Sequence, residues 1–199
     1  MTSKWRRDLS RDVEAVRDWW REMQPDGRRR GDRAGLARLR RAASAVDALS
    51  EPSTIELCRK LGVSAASRFP SAGRVAALAG VLSHVRAEVA ASPAGRRPTM
   101  MGLVGPQGTS DEALSGAKLK EIRFRALLTT REDDELLTSM RRLVRLAGDF
   151  ANIRDLAGAI LDWSDDTRRR WAFDYYGGAP AAAPTADAPT SPDQTESAP

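Results

Sequence analysis

The chain has 199 residues, 41% hydrophobic and 30% charged, enough for one ordinary domain or two small helical ones. Lys+Arg number 32 against 27 Asp+Glu, for +5; setting aside residues 177–199, which hold Asp187, Asp193 and Glu196 and no basic residue, leaves 32 against 24, or +8. A basic body points to an anionic partner, while the absence of an 18-residue apolar run, of an apolar leader at residues 1–11, and of any cysteine beyond Cys58 argues against a membrane span, a secretory signal and a disulfide or cysteine–zinc framework. The expected home is a reducing cytoplasm, with no membrane partner.

Taken in order, the apolar periodicity is helical almost throughout. Trp5, Leu9, Val13, Val16, Trp20 and Met23 form one stripe at helical spacing, broken by Pro25, Gly27 and Gly31. Asp32 is a suitable N-cap for a second helix through about residue 49, with Leu36, Leu39, Ala43 and Val46 on its apolar side. A short helix at 53–61 stops at Gly62, and Val75, Leu78, Leu82, Val85 and Val89 make a fourth stripe. Residues 92–109, with three prolines and four glycines, read as a long flexible loop. Ser110 or Ser115 then caps a helix carrying Leu119, Ile122, Leu127 and Leu128. Asp133 and Asp134 open one carrying Leu136, Leu137, Met140, Leu143, Val144 and Ala147, ended by Gly148. Asn152 opens another through Asp162, and Ser164 caps a last one through Tyr176. No alternating strand and no solenoid repeat is evident.

The expected fold is therefore all-α. It comprises an N-terminal helical subdomain at 1–91, the flexible loop at 92–109, a C-terminal helical subdomain at 110–176, and a disordered Ala/Pro-rich tail at 177–199.

Most constellations that could carry chemistry fail on inspection. The glycine-rich run at 102–110 lacks the lysine of a phosphate loop and follows no strand. Asp162, Asp165 and Asp166 could gather a hard cation, but a Ser164-capped helix start contains such residues anyway, and Arg168, Arg169 and Arg170 follow at once. His84, beside the fourth stripe, reads as a partly buried, hydrogen-bonded histidine with no nucleophile placed to use it; Cys58 reads as a small buried hydrophobe. No catalytic residue, metal site or cofactor is expected.

The arginines remain. On the helix that starts at Asp133, with Leu136 at 0°, the apolar residues fall between about −20° and 100°. Arg141, Arg145 and Arg142 fall at about 140°, 180° and 240°, a predicted solvent face. Arg141 and Arg145 are like charges one turn apart, tolerable if an anion such as phosphate lies between them. On the preceding helix Lys118 and Arg125 share the polar side near Glu121. Arg123 projects between Leu119 and Leu127, as a half-buried paired arginine or one at the lip of a groove. Arg33, Arg40 and Arg41 make a further basic strip. None of these helices offers the Asn, Gln or Ser that would read base edges, so the nine positions Arg33, Arg40, Arg41, Lys118, Arg123, Arg125, Arg141, Arg142 and Arg145 describe a phosphate-tracking surface without sequence readout.

Trp19-Trp20, the run from Gly31 to Ala42, Leu119 to Leu128, Met140 to Leu146, and Asp155-Leu156 through Leu161-Asp162-Trp163 to Arg168-Arg169-Arg170-Trp171-Ala172-Phe173-Asp174-Tyr175-Tyr176 occur in one order. In that order and spacing they resemble the CasB family, the small subunit of the type I-E CRISPR surveillance complex Cascade, over roughly residues 19–176. The resemblance implies a helical, non-catalytic subunit, two copies of which sit side by side in the complex with its other subunits. Their basic surface would hold the opened, crRNA-paired target DNA. Guide pairing reads sequence in such complexes while protein supplies backbone contacts. The alternative is a helical protein–protein scaffold whose arginines only solvate it.

Overall fold

A computed structural model describes residues 3–25, 30–67, 70–93 and 95–177. Helix α1 (Ser3–Met23) buries Val13, Val16, Trp19, Trp20 and Met23, and its two indoles donate to backbone carbonyls, Trp19 Nε1 to Ser53 O at 3.0 Å and Trp20 Nε1 to Val85 O at 3.4 Å. The chain returns through Gly31, whose φ of +56° brings it so close to the preceding turn that a Cβ would lie 2.5 Å from Pro25 N. Asp32 then caps α2 (Arg33–Arg41), accepting from Gly35 N at 2.7 Å.

The second helix is shorter than its apolar pattern predicts. Ser44 and Asp47 form a reciprocal capping box that starts a separate helix, α3 (Ala45–Leu49), so the chain turns at residues 42–44. Helix α4 (Pro52–Lys60) carries its proline in the first turn, where no intrahelical donor is lost.

Helix α5 (Ala72–Leu82) is the centre of the molecule, buried without interruption from Val75 to Leu82 and packed by α2, α3, α4, α9 and α10. It ends before Val85 and Val89, which the periodicity places on it. Its last carbonyls find partners outside the helix: Gly80 O accepts from Ser83 Oγ (2.8 Å) and Arg141 Nε (3.3 Å), and Ser83 O accepts from Arg40 Nε (2.7 Å). Beyond it lies a strand pair the sequence does not announce. β1 (Ala87–Glu88) pairs in parallel with β2 (Phe150–Ala151), Ala87 opposite Phe150, so Val85 and Val89 are buried from extended chain.

Residues 92–109 contain α6 (Met100–Val104), capped by Thr99 and tied by Met100 N donating to Asp155 Oδ2 at 2.7 Å; Met100, Met101 and Val104 are fully buried. Then follow α7 (Asp111–Gly116), α8 (Glu121–Thr129), α9 (Asp133–Leu146), α10 (Ile153–Leu161) and α11 (Asp165–Tyr176). Asn152 and Ser164 accept the capping bonds predicted for them. The single helix expected from Ser110 or Ser115 through Leu128 is instead two: Ser110 caps only α7, the chain breaks after Gly116, and α8 starts after Lys120 with no side-chain cap, leaving Lys118 and Leu119 in the connection between them. The class is all-α, with eleven helices and one two-residue strand pair among the described residues. A single hydrophobic cluster contains Val16, Leu39 and Leu78 together with Met140, Ile160 and Trp171, so segments on both sides of 92–109 share it. The tail beyond Gly177 lies outside the described residues.

Candidate nucleic-acid interface

Helices α8 and α9 leave a groove of about 350 Å³ between them. Leu119, Leu127, Leu143 and Leu146 supply its apolar floor, Ala126 and Ser139 its sides, and Arg123, Arg142 and Arg145 its rim. The local reason is the arrangement of α9: Leu136, Leu137, Met140, Leu143 and Val144 face the core, which turns Arg142 and Arg145 outward. On α8, Phe124 and Leu127 are buried, with Phe124 stacked on Tyr175 at 4.0 Å, and Arg123 lies exposed on the groove side. No hydrogen bond or ion pair among the described residues engages the Arg123, Arg142 or Arg145 side chains. Of the two places open to Arg123, the structure gives the lip of a groove.

Arg141 departs from its predicted solvent position. Its guanidinium is half-buried, donating from Nη1 to Ala42 O (2.7 Å), from Nη2 to Leu39 O (2.8 Å) and from Nε to Gly80 O (3.3 Å). It thus caps the C-terminus of α2, where outward-pointing carbonyls favour a cation, and bolts α2 and α5 to α9. The wheel put it just beyond the apolar arc; α2 and α5 cover that flank.

The other candidates divide. Arg40 is exposed but anchored to Ser83 O, and Arg33 and Arg41 are exposed on α2 with no partner among the described residues. Arg125 is occupied, pairing with Glu121 (2.6 Å) and with Tyr176 Oη (3.3 Å), which hold the Glu121 carboxyl below its usual range, the tyrosine hydrogen bond first. Lys118, which precedes α8 rather than sharing its polar side, lines with Gln107 and Glu112 a depression other than the one Arg123 lines. Asp165 and Asp166 pair with Arg168 (2.5 Å) and Arg169 (2.7 Å), as the charge sequence of that helix start suggests.

His84 lies outside α5, after its C-cap Ser83, and its Nε2 is buried without a hydrogen-bond partner, contrary to the expected satisfied histidine. Burial, and then the fields of Arg141, Arg145 and Arg40, lower its pKa to about 4. Arg40 and Arg141 also meet by geometry, Arg40 on Ser83 O and Arg141 on Gly80 O and the carbonyls that end α2. Sequence reasoning missed the groove floor, since Leu119, Leu127 and Leu143 read as ordinary core; the available signal was Arg123 inside an apolar arc.

A family model described as CRISPR-associated protein Cse2 matches residues 35–176, from the first turn of α2 to the last residue of α11. The chain belongs to that family. Comparison with curated proteins and with solved structures returns no match. As a member of the Cse2 (CasB) family, it is a small structural subunit of Cascade and assembles with the other subunits of that complex. No helix among the described residues is long and apolar enough to cross a membrane.

Proposed function

We propose that this Cse2-family subunit stabilises the opened target DNA of Cascade, the crRNA–DNA R-loop, through sequence-independent contacts to phosphate. The observation that carries the reading is the α8–α9 groove. Three arginines with no counter-charge among the described residues, Arg123 from α8 and Arg142 and Arg145 from α9, rim an apolar trough, the arrangement expected where a single strand sets its backbone against cations and its bases over apolar surface. Arg40, anchored on Ser83 O, with Arg33 and Arg41, adds a positive surface along α2; Lys118 and Arg125 are peripheral to the groove. Arg141 belongs to the reading as the residue that fixes α9 against α2. The subunit has a holding role without catalysis, beside the other Cascade subunits and a second copy of itself, as the family likeness implies.

A test is the salt dependence of binding to a fluorescent oligothymidine. Replacing Arg123, Arg142 and Arg145 together by Ala lowers the slope of log K against log salt by about 2, since the counterions released for each single-strand phosphate that a cation neutralises account for about 0.7. An unchanged slope excludes the groove. Apolar side chains at the surface, Ile122 at 79% and Phe173 at 77% exposure, favour a second role in contacts with neighbouring Cascade subunits; if the groove variant binds as the parent does, that scaffold role is the better account.

A further inference from the structure

The positive groove has an anionic candidate occupant in its own chain. Arg170 is the last basic residue; the segment beyond Gly177 contains Asp187, Asp193 and Glu196, and is otherwise mainly Ala, Pro, Thr and Ser. Where the described chain ends matters as much as its charge. Tyr176, the last residue of α11, donates its hydroxyl to Glu121 Oε1 at 3.0 Å and accepts from Arg125 Nε at 3.3 Å. The chain therefore leaves the fold against the first turns of α8, the helix that carries Arg123 and forms one wall of the groove. Asp187 lies ten positions beyond Gly177, a span of up to about 35 Å, and a helix with its side chains is about 10–12 Å across. The acidic residues can reach the far side of α8 without disturbing it.

We propose that the acidic segment 187–196 lies in the α8–α9 groove, its carboxylates against Arg123, Arg142 and Arg145 and its alanines and prolines over Leu127, Leu143 and Leu146, and that nucleic acid must displace it. The displacement rests on the reading of the groove as a phosphate-binding surface; the docking does not. Tethering gives a weak contact a high effective concentration, so three exposed carboxylate–guanidinium pairs suffice to compete. The device discriminates: an isolated phosphate or a short, loosely held strand does not outcompete the tail, whereas a long strand making many contacts does. The docking is also salt-sensitive, because exposed pairs of this kind are screened.

The test uses the full chain with a nitroxide on Ser197→Cys and with Cys58→Ala, so that one thiol carries the label. At low salt the amide signals of Arg123, Arg142 and Arg145 broaden selectively. The broadening disappears in about 0.5 M salt and when Asp187→Asn, Asp193→Asn and Glu196→Gln are combined. The same neutralised chain binds an oligothymidine roughly threefold to tenfold tighter than the parent. Absence of selective broadening, or broadening centred elsewhere, overturns the proposal. So does broadening that appears only between differently labelled copies in a mixture. Groove broadening with equal oligothymidine affinities overturns it as well. If neither chain binds the oligothymidine at any salt, the nucleic-acid reading of the groove fails, and relaxation alone then decides whether the tail docks.

Discussion

Replacing Arg141 by Ala removes a side chain that three elements share. Its guanidinium makes two short bonds, to Ala42 O and Leu39 O at 2.7 and 2.8 Å, and a longer one to Gly80 O. Bonds from a charged donor contribute about 1.5–3 kcal/mol each, and a buried acceptor left without its donor costs about as much. Two offsets apply. Leu39 O keeps a bond from Ala42 N, and Gly80 O keeps Ser83 Oγ. The neighbouring Arg145 is also freed from a like charge, whose repulsion contributes, after burial, to holding the Arg141 pKa down. The net expectation is a loss of about 2–4 kcal/mol, or about 5–12 °C in melting temperature for a chain of this size. Arg142→Ala and Arg145→Ala, which break no bond among the described residues, stay within about 0.5 kcal/mol of the parent. Thermal and urea unfolding of the three variants measures both. A second readout is specific to the contact: the chain has one histidine, and without the Arg141 charge beside it the His84 pKa rises from about 4 toward its ordinary 6.5 in an NMR titration. Arg141→Ala melting with Arg142→Ala, and an unmoved His84, would refute the assignment of Arg141 as a structural cap.

His84 itself makes stability depend on pH. The unfolded imidazole takes up a proton near 6.5 and the folded one near 4, so this contribution is complete above pH 6.5 and is lost as pH falls to 4. It amounts to about 1–2 kcal/mol once solvent screening of a half-buried ring is allowed for. His84→Leu flattens that part of the profile, and an identical pH profile for the variant would count against it. Glu88, on β1, pairs with Arg17 of α1 at 2.6 Å, both side chains only 11% exposed. Glu88→Ala leaves a guanidinium poorly compensated in the interior and costs about 3 kcal/mol, while Arg17→Met with Glu88→Leu recovers much of it. Urea unfolding of the single and double variants checks this, and equal stability of all three would contradict it.

Local signals were enough for most helix starts. Asp32, Asn152 and Ser164 cap where an accepting side chain precedes an apolar period, and Gly148 ends α9 at a φ of +77°, whereas Ser110 caps only the short α7 and the apolar α8 starts after Lys120 without a side-chain cap. Part of what escaped is local but concealed, and the rest depends on neighbours far away in the chain. The turn at 42–44 is set by a capping box that an uninterrupted apolar stripe conceals. The pairing of Ala87 with Phe150 involves two residues on each side, too few for alternation to register. Met100, Met101 and Val104 sit in a proline- and glycine-rich stretch whose composition argues for a loop, and their burial against α11 supplies what local propensity does not. For the candidate site, a helical wheel gives angles but not the identity of the covering element. Arg141, near the edge of the arc, is covered by α2 and α5; Arg123, inside the arc, is left open because nothing fills the space between α8 and α9. Arg142 and Arg145, farthest from the arc, are the positions the wheel placed correctly as exposed.

The most direct test of the central claim is the lifetime of a matched duplex target on Cascade reassembled with the Arg123→Ala, Arg142→Ala and Arg145→Ala subunit, followed by competitor chase at several salt concentrations. With assembly intact by mass, the account predicts faster release at every target sequence alike and a weaker dependence of release on salt, because phosphate contacts carry no sequence information. Release unchanged in rate and in salt dependence, from a fully assembled complex, would contradict it.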